Sequence, residues 1–279
     1  MEYVNVNGQV QRHSEATLHI SDLGLRRGYG AFEFFRILRG IPVFLEDHLN
    51  RLENTARLMD LEIPYSRAQL EGFIRELIGL NRLEQAGLQM VLTGGYSEDI
   101  FTPGRPNLIL APIEVKKQPE RLYTEGAKII LHTNVREMAH AKSTDYLVAV
   151  KLGKRMRAEG ASEVVYHDGF MVSEGARSSL SIVRNGTLVT ARNGVLPGIT
   201  RMHMLRVAEG ILPVEYRDIE LEELYAADEV ILTGATREVM PVTQIEDQRI
   251  GEVGPFSKAI MRAFTAHVEA YLESRSVPS

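Results

Sequence analysis

The sequence predicts an α+β protein with mixed or antiparallel sheets rather than a doubly wound parallel sheet. Strand-like and amphipathic helical segments alternate irregularly, without the steady strand–helix–strand rhythm of parallel α/β folds. Tight-turn dipeptides such as Asn7-Gly8 and Asn185-Gly186 separate neighbouring strand-like segments, as in β-hairpins. The length of 279 residues favours one large domain or two of medium size.

The N-terminal half combines several strands with two helices. Apolar spacing predicts helices over 46–60 and 67–80, and the predicted strands are 3–6, 29–38, 41–45, 88–93 and 108–113. A polar stretch with Lys116, Lys117 and Pro119 follows the last of these strands. We therefore predict a small N-terminal α/β domain over 1–118, a linker over 119–126 and a larger C-terminal domain over 127–279.

The C-terminal half continues the same mixture. Helices are predicted over 144–159, 199–209 and 255–272, because apolar residues recur there at helical spacing. The predicted strands are 127–131, 163–166, 170–173, 180–183, 229–232 and 239–245. No internal repeat or low-complexity tract interrupts this pattern.

Composition excludes several classes of function. The net charge of −5, with both signs mixed along the chain, argues against nucleic-acid binding. The absence of cysteine excludes disulfides and thiolate catalysis, and the eight histidines show no metal-binding spacing. No Walker loop or G-x-S-x-G elbow is present. Because the sequence shows no signal peptide and no membrane-spanning run, we expect a cytoplasmic protein with no membrane partner. The spacing of the histidines leads us to expect no bound metal.

Three polar positions occur in an order that suits one cofactor. Lys142 lies near a predicted helix start, and a lysine amine can form an imine with a carbonyl. Glu174 lies on a predicted strand, and a carboxylate beside a pyridine nitrogen keeps that nitrogen protonated. Gly198-Ile199-Thr200 opens a predicted helix, whose free N–H groups and dipole suit a phosphate. The set predicts bound pyridoxal 5'-phosphate with Lys142 as its covalent partner.

Further residues extend this set, and each has a plain structural interpretation as well. Tyr146 suits the ring oxygen of the cofactor, and Arg51 suits its phosphate through a forked guanidinium. Gly234-Ala235-Thr236 is a second loop of small residues after a strand. Taken singly, Lys142 and Arg51 are also typical of solvated charges, and Thr200 is typical of an ordinary N-cap residue.

Four segments together carry a resemblance to a known family. They are FLEDHLNRL at 44–52, KSTDY at 142–146, SEG at 173–175 and LPGITR at 196–201. With these segments the chain resembles the fold-type IV pyridoxal phosphate enzymes, which include branched-chain aminotransferases, D-amino acid aminotransferases and aminodeoxychorismate lyases. The resemblance runs from about Asn5 to the end of the chain.

The resemblance implies a role for each matching residue. Lys142 matches the imine lysine, Glu174 the partner of the pyridine nitrogen and Tyr146 the residue near the ring hydroxyl. Leu196 matches the residue that packs on the ring face. The positions that match phosphate binding are Arg51, Gly198, Ile199, Thr200 and Thr236. The resemblance further implies two domains with the cofactor between them, and a homodimer in which a partner loop near 27–35 closes each pocket.

The substrate residues match less completely. Common D-amino acid enzymes carry an Arg-x-His pair where this chain has Asp99-Ile100-Phe101, and branched-chain enzymes carry Val-Phe-Glu-Gly where it has Ala31-Phe32-Glu33-Phe34. The segment 21–30 is similar to a less common subgroup of D-amino acid transaminases that use arginines to bind the α-carboxylate. The predicted substrate-binding residues are therefore Arg27, Phe32, Phe34, Gln89, Arg177 and Ala235.

The resulting expectation is a transaminase that moves an amino group between an amino acid and a 2-oxo acid by a ping-pong mechanism. D-amino acid donors such as D-alanine or D-glutamate are favoured. An L-branched-chain aminotransferase, an aminodeoxychorismate lyase and a non-catalytic binding protein of the same fold are the alternatives.

Overall fold

The computed structural model describes residues 1–276, which pack as two compact units. Unit 1 comprises Met1–Lys116, Ala141–Asp145 and the residues from Tyr271 onward, and unit 2 comprises Lys117–His140 and Tyr146–Ala270. The short segment that carries Lys142 thus belongs to unit 1, although unit 2 contains the residues on both sides of it. The domain boundaries drawn from the sequence stay a prediction.

Unit 1 is built on an antiparallel sheet. Its strands are β1 (Tyr3–Val6), β2 (Gln9–Arg12), β3 (Gly30–Leu38), β4 (Ile41–Pro42), β5 (Gln85–Thr93) and β6 (Leu108–Ile113). Its helices are α1 (Leu23–Arg27), α2 (Leu45–Leu58) and α3 (Arg67–Asn81). The strands pair in the order β2-β1-β6-β5-β3-β4, each pair antiparallel. The predicted hairpin at Asn7-Gly8 is present, with φ of 54° and 80° at the two turn residues.

Strand β3 presents one face to the core of unit 1 and a second, half-buried face on the other side of the sheet. Its odd-numbered residues, among them Phe35 and Ile37, are buried against helices α2 and α3. From Phe32 onward its even-numbered residues are half-buried, because successive side chains of a strand point to opposite faces. The core face also includes Leu49 and Leu52 of α2. The second face is the one that carries Phe32 and Phe34.

Unit 2 is built on a larger mixed sheet. Its strands are β7 (Ala127–Thr133), β8 (Glu163–His167), β9 (Met171–Gly175), β10 (Ser179–Arg184), β11 (Thr187–Thr190), β12 (Val214–Tyr216), β13 (Ile219–Glu220), β14 (Glu229–Gly234), β15 (Glu238–Ile245) and β16 (Gln248–Arg249). Its helices are α4 (Arg121–Thr124), α5 (Leu147–Ala158), α6 (Ile199–Ala208), α7 (Leu221–Tyr225) and α8 (Pro255–Arg275), the last of which ends in unit 1.

Both parallel and antiparallel pairs occur in the sheet of unit 2. The order is β12-β11-β10-β14-β15-β7-β8-β9-β13, with β16 beside β15. The pairs β7–β8, β7–β15 and β11–β12 are parallel and the others antiparallel. The predicted α+β class with mixed and antiparallel sheets is confirmed. Within residues 1–276, none of the helices combines the length and apolar character needed to cross a lipid bilayer.

Two predicted elements differ from the structure. The helix expected from Thr144 begins only at Leu147, because the preceding residues are extended and pair with β3. The strand expected over 41–45 ends at Pro42, since Phe44 adopts a left-handed conformation with φ of 56° and Leu45 already begins α2. In both places a long-range contact or a left-handed residue overrides the local apolar pattern.

Candidate active site

Lys142 is fixed through its main chain at the edge of the unit 1 sheet. Its carbonyl accepts the N–H of Phe32 at 2.9 Å, and the N–H of Thr144 donates to the carbonyl of Gly30 at 2.8 Å. On the other side, the N–H of Lys142 donates to the hydroxyl of Thr55 on α2 at 3.2 Å. Lys142 was expected near a helix start, and the structure instead places it on an extended segment. Such bonding sets the direction in which the side chain leaves the backbone.

The lysine side chain lies over an aromatic ring on the second face of the sheet. Lys142 Nζ is 4.4 Å from the centroid of the Phe32 ring. Phe34 shares this face with Phe32, and Gln89 is the registered neighbour of Phe34 on β5. Three predicted substrate residues therefore lie on the face of unit 1 that Lys142 Nζ contacts.

A buried ionic cluster lies on the opposite face of β3. Arg51 of α2 holds the carboxylate of Glu33 through two bonds, Nε to Oε1 at 2.7 Å and Nη2 to Oε2 at 2.8 Å. His48, one turn earlier on α2, contacts Glu33 Oε2 through Nδ1 at 2.7 Å. Two bonds to one carboxylate fix the plane of the guanidinium, so the direction of Arg51 is set by Glu33.

The charges of this cluster follow from its burial. Burial alone would raise the pKa of Glu33, but Arg51 and His48 outweigh that effect and hold it at about 2. Burial also lowers the pKa of His48 below its usual value, and the nearby charges of Arg51 and Lys142 act in the same direction. A neutral His48 beside an ionised Glu33 must carry its proton on Nδ1, because the carboxylate only accepts.

Glu174 is the centre of a second polar group, within unit 2. It lies near the end of β9 and is 4% exposed. Its Oε1 pairs with Nη1 of Arg136 at 2.7 Å, and its Oε2 accepts the N–H of Leu196 at 3.0 Å. The contact with Leu196 brings two predicted cofactor residues together. An ionised carboxylate held in this way can face a protonated pyridine nitrogen.

Tyr166 lies close to Glu174, and Tyr146 lies close to Tyr166. Tyr146 immediately precedes α5 and is half-buried. Tyr166 of β8 is buried, and burial raises its pKa to about 12 with added repulsion from Glu163, Tyr146 and Glu174. The phenol of Tyr166 therefore stays protonated near neutral pH and can donate a hydrogen bond.

The start of α6 fits a phosphate. Gly198 is its N-cap and provides no side chain, so the first N–H groups of the helix have no partner within it. A Cβ at Gly198 would lie 2.5 Å from the hydroxyl oxygen of Ser179, which leaves room only for glycine. Thr233 pairs with Ser179 on the neighbouring strand, and its buried hydroxyl lacks a protein partner among residues 1–276. Thr200 lies in the first turn of α6 rather than at the N-cap.

Two tight turns hold the remaining predicted residues of unit 2. Arg177 lies in the turn 175–178, in which the N–H of Gly175 donates to the carbonyl of Ser178 at 2.7 Å. Ala235 and Thr236 lie in the turn 234–237, closed by the N–H of Arg237 and the carbonyl of Gly234 at 3.1 Å. A Cβ on Gly234 would lie 3.3 Å from the carbonyl oxygen of Arg177, so the two turns are neighbours.

Arg27 contacts the loop between β5 and β6 of unit 1. It is exposed in the last turn of α1, and its guanidinium lies 5.2 Å from the centroid of the Phe101 ring. Phe101 belongs to a loop that Asp99 organises, because Asp99 Oδ1 accepts the N–H groups of Phe101 and Thr102 at 2.9 and 2.7 Å. Arg27 therefore places a cation beside Phe101, in the segment 99–101 that is predicted to match the Arg-x-His pair of common D-amino acid enzymes.

Sequence reasoning missed the partners of several site residues. Glu33, His48, Arg136 and Tyr166 were not singled out. The signal for Glu33 was available, since a charged residue occupies a core position of a strand that otherwise alternates. The signal for His48 is its spacing of three residues from Arg51 on one helix face. For Arg136 no local pattern points to Glu174, which is 38 residues away.

Comparison with known proteins gives consistent results. A family profile for amino-transferase class IV matches residues 30–245. D-alanine aminotransferase of Listeria monocytogenes serotype 4b is 30% identical over 95% of this chain and 96% of its own length. A putative branched-chain-amino-acid aminotransferase of Methanocaldococcus jannaschii is also 30% identical, over 94% of each chain.

Solved structures match over nearly the full chain as well. The branched-chain amino acid aminotransferase of Escherichia coli has a TM-score of 0.88 at 26% identity, covering 95% of this chain and 94% of its own. A second branched-chain amino acid aminotransferase, solved with pyridoxamine 5'-phosphate, has a TM-score of 0.88 at 25% identity, covering 96% and 94%. With its fold, its polar groups and a profile match over most of its length in agreement, this chain belongs to the class IV aminotransferases, which are pyridoxal phosphate-dependent enzymes.

Proposed function

We propose that Lys142 is the residue that attaches pyridoxal 5'-phosphate covalently in this aminotransferase. The observation that carries the assignment is the main-chain clamp that holds Lys142 on the sheet edge, with Nζ over Phe32. Glu174 is the partner of the ring nitrogen, and Leu196 packs on the ring. The phosphate is bound by the start of α6 and by Thr236 and Arg51.

The cofactor, when bound, supplies an electron sink that stabilises negative charge at the substrate Cα. The protein supplies the proton chemistry and the orientation. Lys142 Nζ would hold the cofactor covalently and, as a free amine, would take the proton from the substrate Cα as general base and give it up again as general acid. Glu174 keeps a proton on the ring nitrogen by its negative charge. Tyr146 donates its hydroxyl proton toward the ring oxygen.

We further propose that the amino donor is a D-amino acid such as D-alanine or D-glutamate, with a 2-oxo acid as acceptor. Two features support this preference. The guanidinium of Arg27, on α1, lies beside Phe101. Phe101 belongs to the loop in which common D-amino acid enzymes carry cationic side chains. Phe34 adds bulk on the face of Lys142, where branched-chain enzymes have glycine. The similarity to D-alanine aminotransferases agrees with the preference.

The competing candidate is an L-branched-chain aminotransferase, and the structural similarity to enzymes of that kind favours it. A half-reaction panel separates the two. The purified enzyme loaded with cofactor is mixed with D-alanine, D-glutamate or L-leucine, and conversion of the cofactor to its aminated form is followed by absorbance. We expect conversion with the D-amino acids and a rate with L-leucine that is at least about tenfold lower. The opposite configuration at Cα would cost one contact to the carboxylate, and the loss of one such contact lowers a rate by about that factor. Conversion by L-leucine alone would refute the D-specific assignment.

A homodimer is also part of the proposal. The α1 region and the neighbouring β5–β6 loop expose large apolar side chains, with Ile20 and Leu25 each 72% and Phe101 77% exposed. Adjacent apolar groups of this kind mark protein interfaces. Light scattering is expected to give twice the chain mass of 31.3 kDa. Leu25→Asp should shift the protein toward monomer, whereas Leu80→Asp, on the exposed side of α3, should not. A wild-type protein that scatters as a monomer would contradict the proposal.

We also propose a cytoplasmic location for the protein, because a chain without cysteine suits a reducing compartment.

A further inference from the structure

A buried ion pair in unit 2 lies directly behind the two turns that carry Arg177, Ala235 and Thr236. Glu163, the first residue of β8, is fully buried, and its Oε2 lies 3.3 Å from Nη2 of Arg237. The same oxygen accepts the hydroxyl proton of Ser178 at 2.9 Å. Its Oε1 accepts the N–H of Val164 at 3.0 Å. One carboxylate thus contacts the closing residue of each turn, Ser178 in the first and Arg237 in the second.

The other contacts of Arg237 fix the second turn further. Its Nη2 also donates to the carbonyl of Ser162 at 2.8 Å. Its own carbonyl accepts the hydroxyl proton of Tyr123 at 3.0 Å. A buried guanidinium whose charge is balanced by one carboxylate resists displacement, because leaving either charge unpaired in the interior is costly. The contacts of Arg237 with Glu163 and Ser162 therefore fix the turn 234–237 against the start of β8.

The first turn is held as tightly. A Cβ on Gly175 would lie 2.3 Å from the hydroxyl oxygen of Ser178 and 2.9 Å from Cγ of Glu163, so side chains fill the space beneath the turn. The carbonyl of Arg177 also lies against Gly234, so the two turns are neighbours above the same carboxylate. The two turns share a support as well as a boundary.

We infer that Glu163 is a positioning residue that couples the two turns, so that one carboxylate sets both the donor contact of Arg177 and the phosphate contact of Thr236. The inference rests on the proposed phosphate contact of Thr236 and on the prediction that Arg177 binds the donor. Glu163 itself is buried beneath the turns and is not expected to touch substrate or cofactor. Its effect passes through Ser178 to one turn and through Arg237 to the other.

The test compares Glu163→Gln with wild-type enzyme in cofactor affinity and donor kinetics. Glutamine keeps the shape and one acceptor but loses the charge that balances Arg237. We expect the dissociation constant for pyridoxal phosphate, measured by equilibrium dialysis, and the KM for the donor both to rise at least about tenfold, the size of one lost charged hydrogen bond. The value of kcat should change less than KM, because the chemical groups stay in place.

Two single variants test separately the contact of Glu163 with Ser178 and its contact with Arg237. Ser178→Ala removes one hydroxyl and should raise the donor KM while changing cofactor affinity little. Arg237→Met should raise the dissociation constant for pyridoxal phosphate more than Ser178→Ala does. Equal cofactor affinity and equal KM in Glu163→Gln and wild type would overturn the inference. If Glu163→Gln fails to fold, an unchanged donor KM in Ser178→Ala overturns it instead.

A matched control distinguishes positioning from loss of stability. Glu229 is another buried carboxylate of unit 2, and it accepts the N–H groups of Phe256 and Ser257 at 3.0 and 2.6 Å at the start of α8. Glu229→Gln should lower the melting temperature without changing cofactor affinity or KM. A loss of affinity in Glu229→Gln equal to that in Glu163→Gln would overturn the inference. Wild-type protein that takes up no pyridoxal phosphate would refute the proposed function itself, which is a separate outcome.

Discussion

Lys142→Ala is expected to abolish transamination, with a loss of at least about a thousandfold in kcat, since the variant loses both the covalent attachment and the general base. The visible absorbance of the lysine-bound cofactor should disappear, because alanine has no amine to form the bond. Half-reactions with D-alanine, followed by absorbance and by formation of pyruvate, measure the first effect directly. A spectrum of the dialysed protein measures the second.

The structure indicates that this variant will fold. The bonds that hold residue 142 use its N–H and carbonyl, both of which alanine retains. The contact of Nζ with the Phe32 ring is worth about 1 kcal/mol or less. The melting temperature should therefore fall by only a few degrees. Added methylamine should restore part of the proton transfer, as a free amine can replace the missing base.

Lys154→Ala provides the control for Lys142→Ala. Lys154 is an exposed lysine on α5, and its removal should leave both activity and absorbance unchanged. Retention of the lysine-bound spectrum or of full turnover in Lys142→Ala would refute the covalent role. A normal spectrum in wild type with loss of activity in both variants would point to a general defect of the preparation.

The periodicity of the sequence was sufficient for most helices and strands but not for the position of Lys142. Residues 142–144 precede a helical pattern, and only their pairing with β3, more than a hundred residues earlier, makes them extended. Similarly, spacing places Arg51 on one side of a helix without revealing its partner. The pairing with Glu33 follows only once β3 and α2 are packed together. Local sequence determines the element, and the packed fold determines which atoms meet.

In the candidate site, too, the sequence identifies individual residues but not the contacts between them. Glu174 and Leu196 were identified separately by resemblance, and the bond between them is visible only in three dimensions. The shared support of two turns by Glu163 leaves no trace in local pattern, since its partners lie 15 and 74 residues away along the chain. Resemblance can therefore name residues that act on a cofactor, but it does not identify the buried groups that orient them.

Glu174→Gln is expected to lower kcat by about a hundredfold while leaving the protein folded. The carboxylate supplies the negative charge that keeps a proton on the ring nitrogen, and a neutral amide cannot do so. Removing one preorganised electrostatic contact of this kind typically costs about 10² to 10³ in kcat. The amide oxygen can still accept from Arg136 or from the N–H of Leu196, so the local fold should persist. Stopped-flow half-reactions and the absorbance of the bound cofactor measure the effect.

Two neighbouring residues provide comparison variants for Glu174→Gln, namely the exposed Glu137 and the partner of Glu174, Arg136. Glu137→Gln changes an exposed carboxylate next to Arg136 and should leave kcat unchanged. Arg136→Met removes the cation that holds Glu174 Oε1 at 2.7 Å and should lower kcat less than Glu174→Gln, because the charge at the ring remains while its direction is lost. If Glu174→Gln retained wild-type kcat while Lys142→Ala was inactive, a different group must face the ring nitrogen. Because Glu174 is 4% exposed and bonded on both oxygens, a merely structural role would instead show itself as a lowered melting temperature with kcat intact.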